Sequence, residues 1–229
     1  MREKHIRRLL RVLLPRTCVF LGQRAKSYTF RDVRVTNERG EFVLDIPEWK
    51  ARLEKEREEK NRFFVLDPRS PIPREERGNL IGKGLSYFPP DPNLRFELTL
   101  DEHKEKRKIL VATSRDGEQE FIRWGEFRFE VDGKQCALQA YKSGREEGSL
   151  WVPLRDKTSG KETYGAGRYL DLEPERHRTT EGKWILDLNR GYNPWCAYSE
   201  AYTCPFVPPE NWLEVPIRAG EKSYSFKRK

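Results

Sequence analysis

Two stretches in the last third of the chain concentrate side chains able to do chemistry. They are Thr158-Ser-Gly-Lys-Glu-Thr-Tyr-Gly-Ala-Gly-Arg-Tyr-Leu-Asp-Leu172 and Asn189-Arg-Gly-Tyr-Asn-Pro-Trp-Cys-Ala-Tyr-Ser199, the second running on to Cys204-Pro205. In the first, Tyr164 precedes Gly-Ala-Gly and then Arg168. Glycines allow a backbone to approach a ligand closely, and a guanidinium can grip a carboxylate or phosphate through two parallel hydrogen bonds. The same pattern fits a β-bulge with Arg168 paired to Asp171 or Asp187. In the second stretch, Asn189, Arg190, Tyr192, Asn193 and Tyr198 offer amides, a guanidinium and phenols. Converging at the mouth of a cavity, these groups would fix a polar or anionic ligand; in an irregular segment they would equally well satisfy buried carbonyls. The candidate ligand-binding set is therefore Tyr164, Arg168, Asn189, Arg190, Tyr192, Asn193 and Tyr198.

Cys196 and Cys204 lie eight apart in an aromatic loop flanked by proline. They lack the Cys-x-x-Cys spacing of a zinc site, and the histidines are only His5, His103 and His177, so no metal site is expected. Three readings remain for the pair: buried structural thiols, a short disulfide loop, or Cys196 as a nucleophile activated by Arg190 or by His177. Asp156, Glu162, Asp171 and Asp187 include enough carboxylates for an acid/base pair, but 37 acidic residues make any choice of two uninformative. Gly-x-Gly without a following helix is not a dinucleotide fingerprint, and no phosphate loop is present. The sequence names no cofactor.

The elements that position these residues are mostly strands. Arg95–Leu100, Lys108–Thr113, Gln119–Trp124, Glu126–Val131, Gln135–Tyr141, Leu150–Leu154, Thr163–Leu172, Trp184–Leu188 and Trp212–Ile217 alternate apolar and polar side chains or are rich in β-formers. Ser114-Arg-Asp-Gly117 and Val131-Asp-Gly-Lys134 are hairpin signals between them. Strands do not alternate with helices, which excludes a parallel nucleotide-binding sheet. The expected fold is mainly β, a single antiparallel meander closing into a barrel or sandwich with an N-terminal helical arm. One helix is clear: Asp45 reads as its N-cap, Pro47 sits in the first turn, and Trp49 to Phe64 follow. Its opposite charges four apart (Arg52/Glu56, Glu56/Lys60, Glu58/Arg62) read as a solvated face. Residues 66 to 93 are proline-rich and loop-like.

Charge is unevenly placed. The chain of 229 residues carries a net +8, and residues 1 to 30 hold eight basic side chains against Glu3 alone. The body has almost no net charge, which argues against nucleic-acid binding. Residues 1 to 45 read as a basic extension and 46 to 229 as one β domain with a leading charged helix. Within the extension Ile6, Leu9, Leu10, Leu13 and Leu14 form a short cationic amphipathic pattern stopped at Pro15. That pattern suits a membrane surface, a protein partner, a targeting segment or an incidental tail. No apolar run approaches the roughly 18 residues of a spanning helix, and a cytoplasmic protein is the default expectation.

Lys83-Gly-Leu-Ser-Tyr-Phe-Pro-Pro-Asp-Pro92, Asp156-Lys-Thr-Ser-Gly-Lys-Glu-Thr-Tyr-Gly-Ala-Gly-Arg-Tyr-Leu-Asp171, Asn189-Arg-Gly-Tyr-Asn-Pro-Trp-Cys-Ala-Tyr-Ser199, Cys204-Pro205, Pro208-Pro-Glu-Asn211 and Ile217-Arg-Ala-Gly-Glu221 occur in that order. Together with Trp49-Lys-Ala-Arg52 they resemble a bacterial and archaeal family of unknown function, DUF1684, over roughly residues 46 to 221. The resemblance implies one domain and carries no activity or catalytic residue. Two functions follow from the residues themselves. One is a small-molecule-binding β-barrel domain, with an enzyme acting on a polar or anionic metabolite as its sharper form. The other is an interaction module contacting a protein or membrane surface through its C-terminal aromatic loops or basic arm. A cavity lined by the candidate set favours the first; exposed aromatics on the loops from 192 to 212 favour the second.

Overall fold

The structure is a computed structural model, and it describes residues 34–36, 42–143 and 148–224. The cationic pattern of residues 6 to 15 lies outside the described residues. A short antiparallel hairpin, β1 (Arg34–Thr36) and β2 (Phe42–Leu44), precedes helix α1 (Ile46–Leu66). Asp45 caps α1 as expected, its carboxylate accepting the Glu48 amide at 3.0 Å. The helix stops at Asp67, where the following proline disfavours another helical residue.

Five strands form one antiparallel sheet in sequence order: β4 (Asp101–Ala112), β5 (Glu118–Val131), β6 (Lys134–Lys142), β7 (Leu150–Leu154) and β8 (Arg168–Leu172). The two strands expected at 119–124 and 126–131 are one long strand. Its register against β6 slips between Arg123 and Gly125, and this bulge interrupts the alternation without ending the strand. Asp132-Gly133 closes β5 onto β6 in a tight turn with both residues at positive φ. A separate pair, β3 (Arg95–Leu98) with β9 (Trp184–Asp187), packs against one face of the sheet.

That face holds the main core, in which Phe127, Phe129, Leu138, Val152, Leu154 and Leu170 meet Leu94, Trp184 and Leu186 from the β3–β9 pair. The fold is thus mainly β with antiparallel sheets and few helices. Among the described residues the sheet does not close into a barrel, because its end strands β4 and β8 do not pair with each other. The strand expected at Trp212–Ile217 is an extended segment. Leu213, Val215 and Ile217 alternate into the core, yet the only bridge there joins Trp212 to Arg155. Alternation recorded burial correctly but not ladder pairing. Likewise the expected strand over 163–172 starts only at Arg168, because residues 156 to 163 are wound into a turn around Asp156 and Thr158.

The opposite face carries a second, aromatic cluster. Phe121 stacks on Trp151 at 4.4 Å, Trp151 meets Tyr169 edge-on at 5.1 Å, and Tyr169 meets Tyr192 at 5.9 Å. The C-terminal segment crosses this face: the Phe206 amide donates to the Ala112 carbonyl at 2.8 Å, and the Tyr169 hydroxyl donates to the Pro205 carbonyl. A third cluster, Phe64, Ile72, Leu80, Leu85 and Tyr198, seats the C-terminal half of α1 on the proline-rich connection. No described helix is long and apolar enough to cross a membrane.

Candidate functional site

The polar residues singled out by sequence gather into three buried nodes. The first is built on Asp156 and Arg168, whose side chains are 0% and 1% exposed. Asp156 Oδ2 accepts from Arg168 Nη2 at 2.9 Å, while its Oδ1 accepts the Thr158 amide, the Thr158 hydroxyl and the Ile217 amide. Arg168 also donates to the carbonyls of Ile217 at 2.9 Å, Glu221 at 3.3 Å and Ala219. Burial pushes the guanidinium's pKa down and the Asp156 charge opposes that. The partner of Arg168 is therefore Asp156, not Asp171 or Asp187. The pair fastens the C-terminal segment to the start of β8.

Asp187 forms the second node at the end of β9. One oxygen accepts from the Trp49 indole at 2.8 Å and from Arg190 at 2.5 Å; the other accepts the amide and side chain of Asn189. Asn189 also exchanges hydrogen bonds with both backbone groups of Asp91. Arg190 completes a two-pronged pair with Glu56 on α1, both contacts at 3.0 Å. The third node is Glu221, 1% exposed, which accepts from the Asn193 amide at 2.7 Å, Tyr198 at 2.6 Å and Tyr87 at 3.3 Å. Lys60 of α1 reaches it at 2.5 Å. Burial and then the Glu221 charge hold the Tyr198 phenol far above its ordinary range.

These nodes correct the reading of α1 as a solvated charge stripe. Glu56, Arg57 and Lys60 face the loops: Arg57 donates to the carbonyls of Phe88 and Asn189. A run of alternating charges looks the same in sequence whether its partners lie one turn away or across the fold. Glu221, Lys60, Glu56 and the fully buried Asn211 are the residues that sequence reasoning missed. Asn211 ties Gln139 of β6 to Pro153 of β7. The visible signal for two of them was membership of the ordered motifs ending at Asn211 and Glu221.

Tyr164 stands apart from the nodes, whereas Tyr192 borders the third, Lys60 Nζ lying 5.1 Å from the centre of its ring. Tyr192 is paired through its backbone with Tyr169, and its hydroxyl donates to Asp171 at 2.5 Å. Tyr164 lies over the cysteine pair, its hydroxyl 3.7 Å from Cys196 Sγ. The Cys196 amide donates to Cys204 Sγ at 3.4 Å. Contact with Cys204 first, and burial second, push the Cys196 thiol far up, so it is held protonated. His177 offers it no base. Its Nδ1 accepts the Glu173 amide at 2.9 Å, and it neighbours Arg190 and Asp187 instead. Burial, and then the Arg190 charge, lower His177 to about 4. Among the described residues no three His, Cys, Asp or Glu side chains converge on a point that could hold a metal ion.

Two concave openings on the surface are lined by other residues. One, of about 420 Å³, runs between the end of α1 and the loop at 80 to 84, past Asn61, Val65, Leu66, Ile81 and Lys83. The other, of about 370 Å³, is lined by Arg155, Ala166, Phe206, Val207, Pro209 and Trp212. Phe206 and Trp212 stay 44% and 49% exposed there, although both are anchored. The Trp212 indole donates to the Val207 carbonyl at 3.0 Å, and the Arg155 guanidinium stacks on its ring at 4.7 Å. The floor depends on Gly167, at φ +98°: a Cβ there would sit 2.5 Å from Val207 and 2.6 Å from the Leu154 carbonyl. Ala166 and Gly167 belong to the Gly-Ala-Gly stretch, and they shape this groove.

Comparison with known proteins adds the family. The profile of the family described as protein of unknown function (DUF1684) matches residues 83–222. An uncharacterised protein from Haloarcula marismortui, whose structure was solved in solution by NMR, is similar to this chain. The two are 40% identical over 78% of this chain and 96% of the other, with a TM-score of 0.60. A comparison with curated proteins finds no match. With more than half its length covered by that profile, the chain belongs to the family of unknown function DUF1684.

Proposed function

We propose that this chain is an interaction module that binds an extended, proline-containing acidic peptide in the groove between Phe206 and Trp212. One observation carries the reading: two large aromatic side chains of a proline-rich segment are about half exposed, with a guanidinium stacked on one of them. Exposing that much aromatic surface is costly for a protein that keeps it uncovered, and the hydrogen bond from Trp212 fixes the ring instead of letting it fold away. Grooves walled by aromatic residues suit the preformed polyproline II conformation, which loses little entropy on docking. Arg155, which forms no ion pair with a described residue, supplies a cation at one wall for an acidic side chain of the partner.

The competing reading is a small-molecule-binding β-barrel using Tyr164, Arg168, Asn189, Arg190, Tyr192, Asn193 and Tyr198. It finds less support, since those residues line neither groove and Arg168, Asn189 and Asn193 are each about 1% exposed. The test is amide chemical-shift mapping of the full chain with an acidic polyproline-type peptide. Shifts centred on 155, 166, 206, 207 and 212 are expected. Shifts centred on 189 to 198, or a tightly held metabolite in protein purified from cells, would favour the small-molecule reading instead.

A further inference from the structure

We propose that Cys196 and Cys204 form a thiol-oxidation site that closes to an intramolecular disulfide when the protein meets a peroxide. The two residues are eight apart in sequence and already in contact, with the Cys196 amide 3.4 Å from Cys204 Sγ and the thiols hydrogen-bonded to each other. Their exposure divides the roles. Cys196 is partly exposed and meets the oxidant, whereas Cys204, 1% exposed, can only resolve the product. Both lie in irregular backbone, Cys196 in the single turn Trp195–Ala197 and Cys204 beyond the turns that follow, so small adjustments can bring the sulfurs together. This inference stands independently of the peptide reading.

The chemistry balances with hydrogen peroxide as the oxidant. Cys196 sulfur, as thiolate, attacks one peroxide oxygen; the O–O bond breaks, leaving Cys196 as a sulfenic acid and releasing one water. Cys204 sulfur then attacks Cys196 Sγ, the S–O bond breaks, and the hydroxyl leaves with the Cys204 proton as a second water. Two thiols lose two electrons, and one peroxide gains them. Because Cys196 is held protonated by its neighbours, the first step accelerates as the solution is made alkaline. The product straps the 195–197 turn to a segment already pinned on β4, where the Ser114 amide donates to the Cys204 carbonyl at 2.8 Å. It also takes from Tyr164 the thiol contact it makes in the reduced protein.

The test treats the folded full chain with hydrogen peroxide, traps remaining thiols with an alkylating agent in denaturant, and digests with trypsin. Gly191–Arg218 is one tryptic peptide holding both cysteines and no others. In the oxidised wild type it should be lighter by two hydrogens and refuse the alkylating agent until a dithiol reductant is added. The oxidised chain should melt roughly 5 °C higher than the reduced one, as a short closed loop allows. In Cys204→Ser, Cys196 should instead accumulate oxygen adducts, with no gain in melting temperature. The proposal is overturned if both cysteines of the oxidised wild type remain alkylable. It is equally overturned if oxygen adds to Cys196 without a sulfur–sulfur link, or if the link forms only in the denatured chain.

Discussion

The buried polar nodes and the Phe206–Trp212 groove are near neighbours in the fold and opposites in chemistry. The nodes hold the arginines, asparagines, tyrosines and carboxylates that an active site would use. Yet each of these groups is bonded to another part of the protein: Arg168 to Asp156, Arg190 to Glu56 and Asp187, Asn193 to the Lys222 carbonyl. The groove contains mostly phenylalanine, valine, proline and tryptophan, residues that look like ordinary packing, and it is open. The difference teaches that chemical versatility in a sequence measures how many partners a side chain can satisfy, not whether the partner is a ligand. An irregular C-terminal segment has many carbonyls and amides to satisfy, and here the versatile residues satisfy them.

If the nodes are scaffold, breaking them should cost stability first. Arg168→Ala strands the Asp156 carboxylate in a dry interior and should destabilise the fold by about 3–5 kcal/mol in urea denaturation. Arg190→Ala removes a partner from Glu56 and Asp187 and should cost roughly 2–3 kcal/mol by the same measure. Retained stability in Arg168→Ala would remove the contrast between the two regions. Gly167→Ala probes the join between them. A side chain there is both strained and in collision with the groove floor, so a loss of about 2–4 kcal/mol and of peptide binding together is expected.

His177 gives a pH test of the Asp187 node. Its folded pKa is depressed to about 4, below the ordinary value of 6.5, so between these values the unfolded chain binds a proton that the folded chain does not. Stability is therefore full above pH 6.5 and declines as pH falls toward 4. Because the residue keeps some exposure, the loss should be about 1–2 kcal/mol, and His177→Gln should flatten that part of the curve. The smallest stability effects belong to the groove. Phe206→Ala and Trp212→Ala should each change unfolding free energy by less than about 1 kcal/mol, while weakening peptide binding at least tenfold.

Much of the fold was legible because its signals are local. Asp45 caps α1, Asp132-Gly133 turns β5 onto β6, and alternation or runs of β-formers mark the strands of the sheet, except the charged first half of β4 from Asp101 to Arg107. The strand ends were less legible. The turn around Asp156 and the single bridge at Trp212 depend on hydrogen bonds to distant residues, which no window of sequence records. The same limit applies to the site. Arg168 and Asp156 were both visible as candidates, but nothing in their spacing says that they face each other with three carbonyls closing the set. The aromatic loops from 192 to 212 were visible as a candidate interaction surface, but nothing singled out Phe206 and Trp212 within them, because exposure of an aromatic side chain is decided by what fails to cover it.

The most direct measurement is a random-peptide selection against the full chain, with every enriched peptide titrated against wild type, Trp212→Ala and His177→Gln. The account predicts enrichment of proline-containing acidic sequences whose affinity drops at least tenfold with Trp212→Ala and is unchanged with His177→Gln. Failure to enrich any peptide, or peptides that bind Trp212→Ala as tightly as wild type, would contradict it.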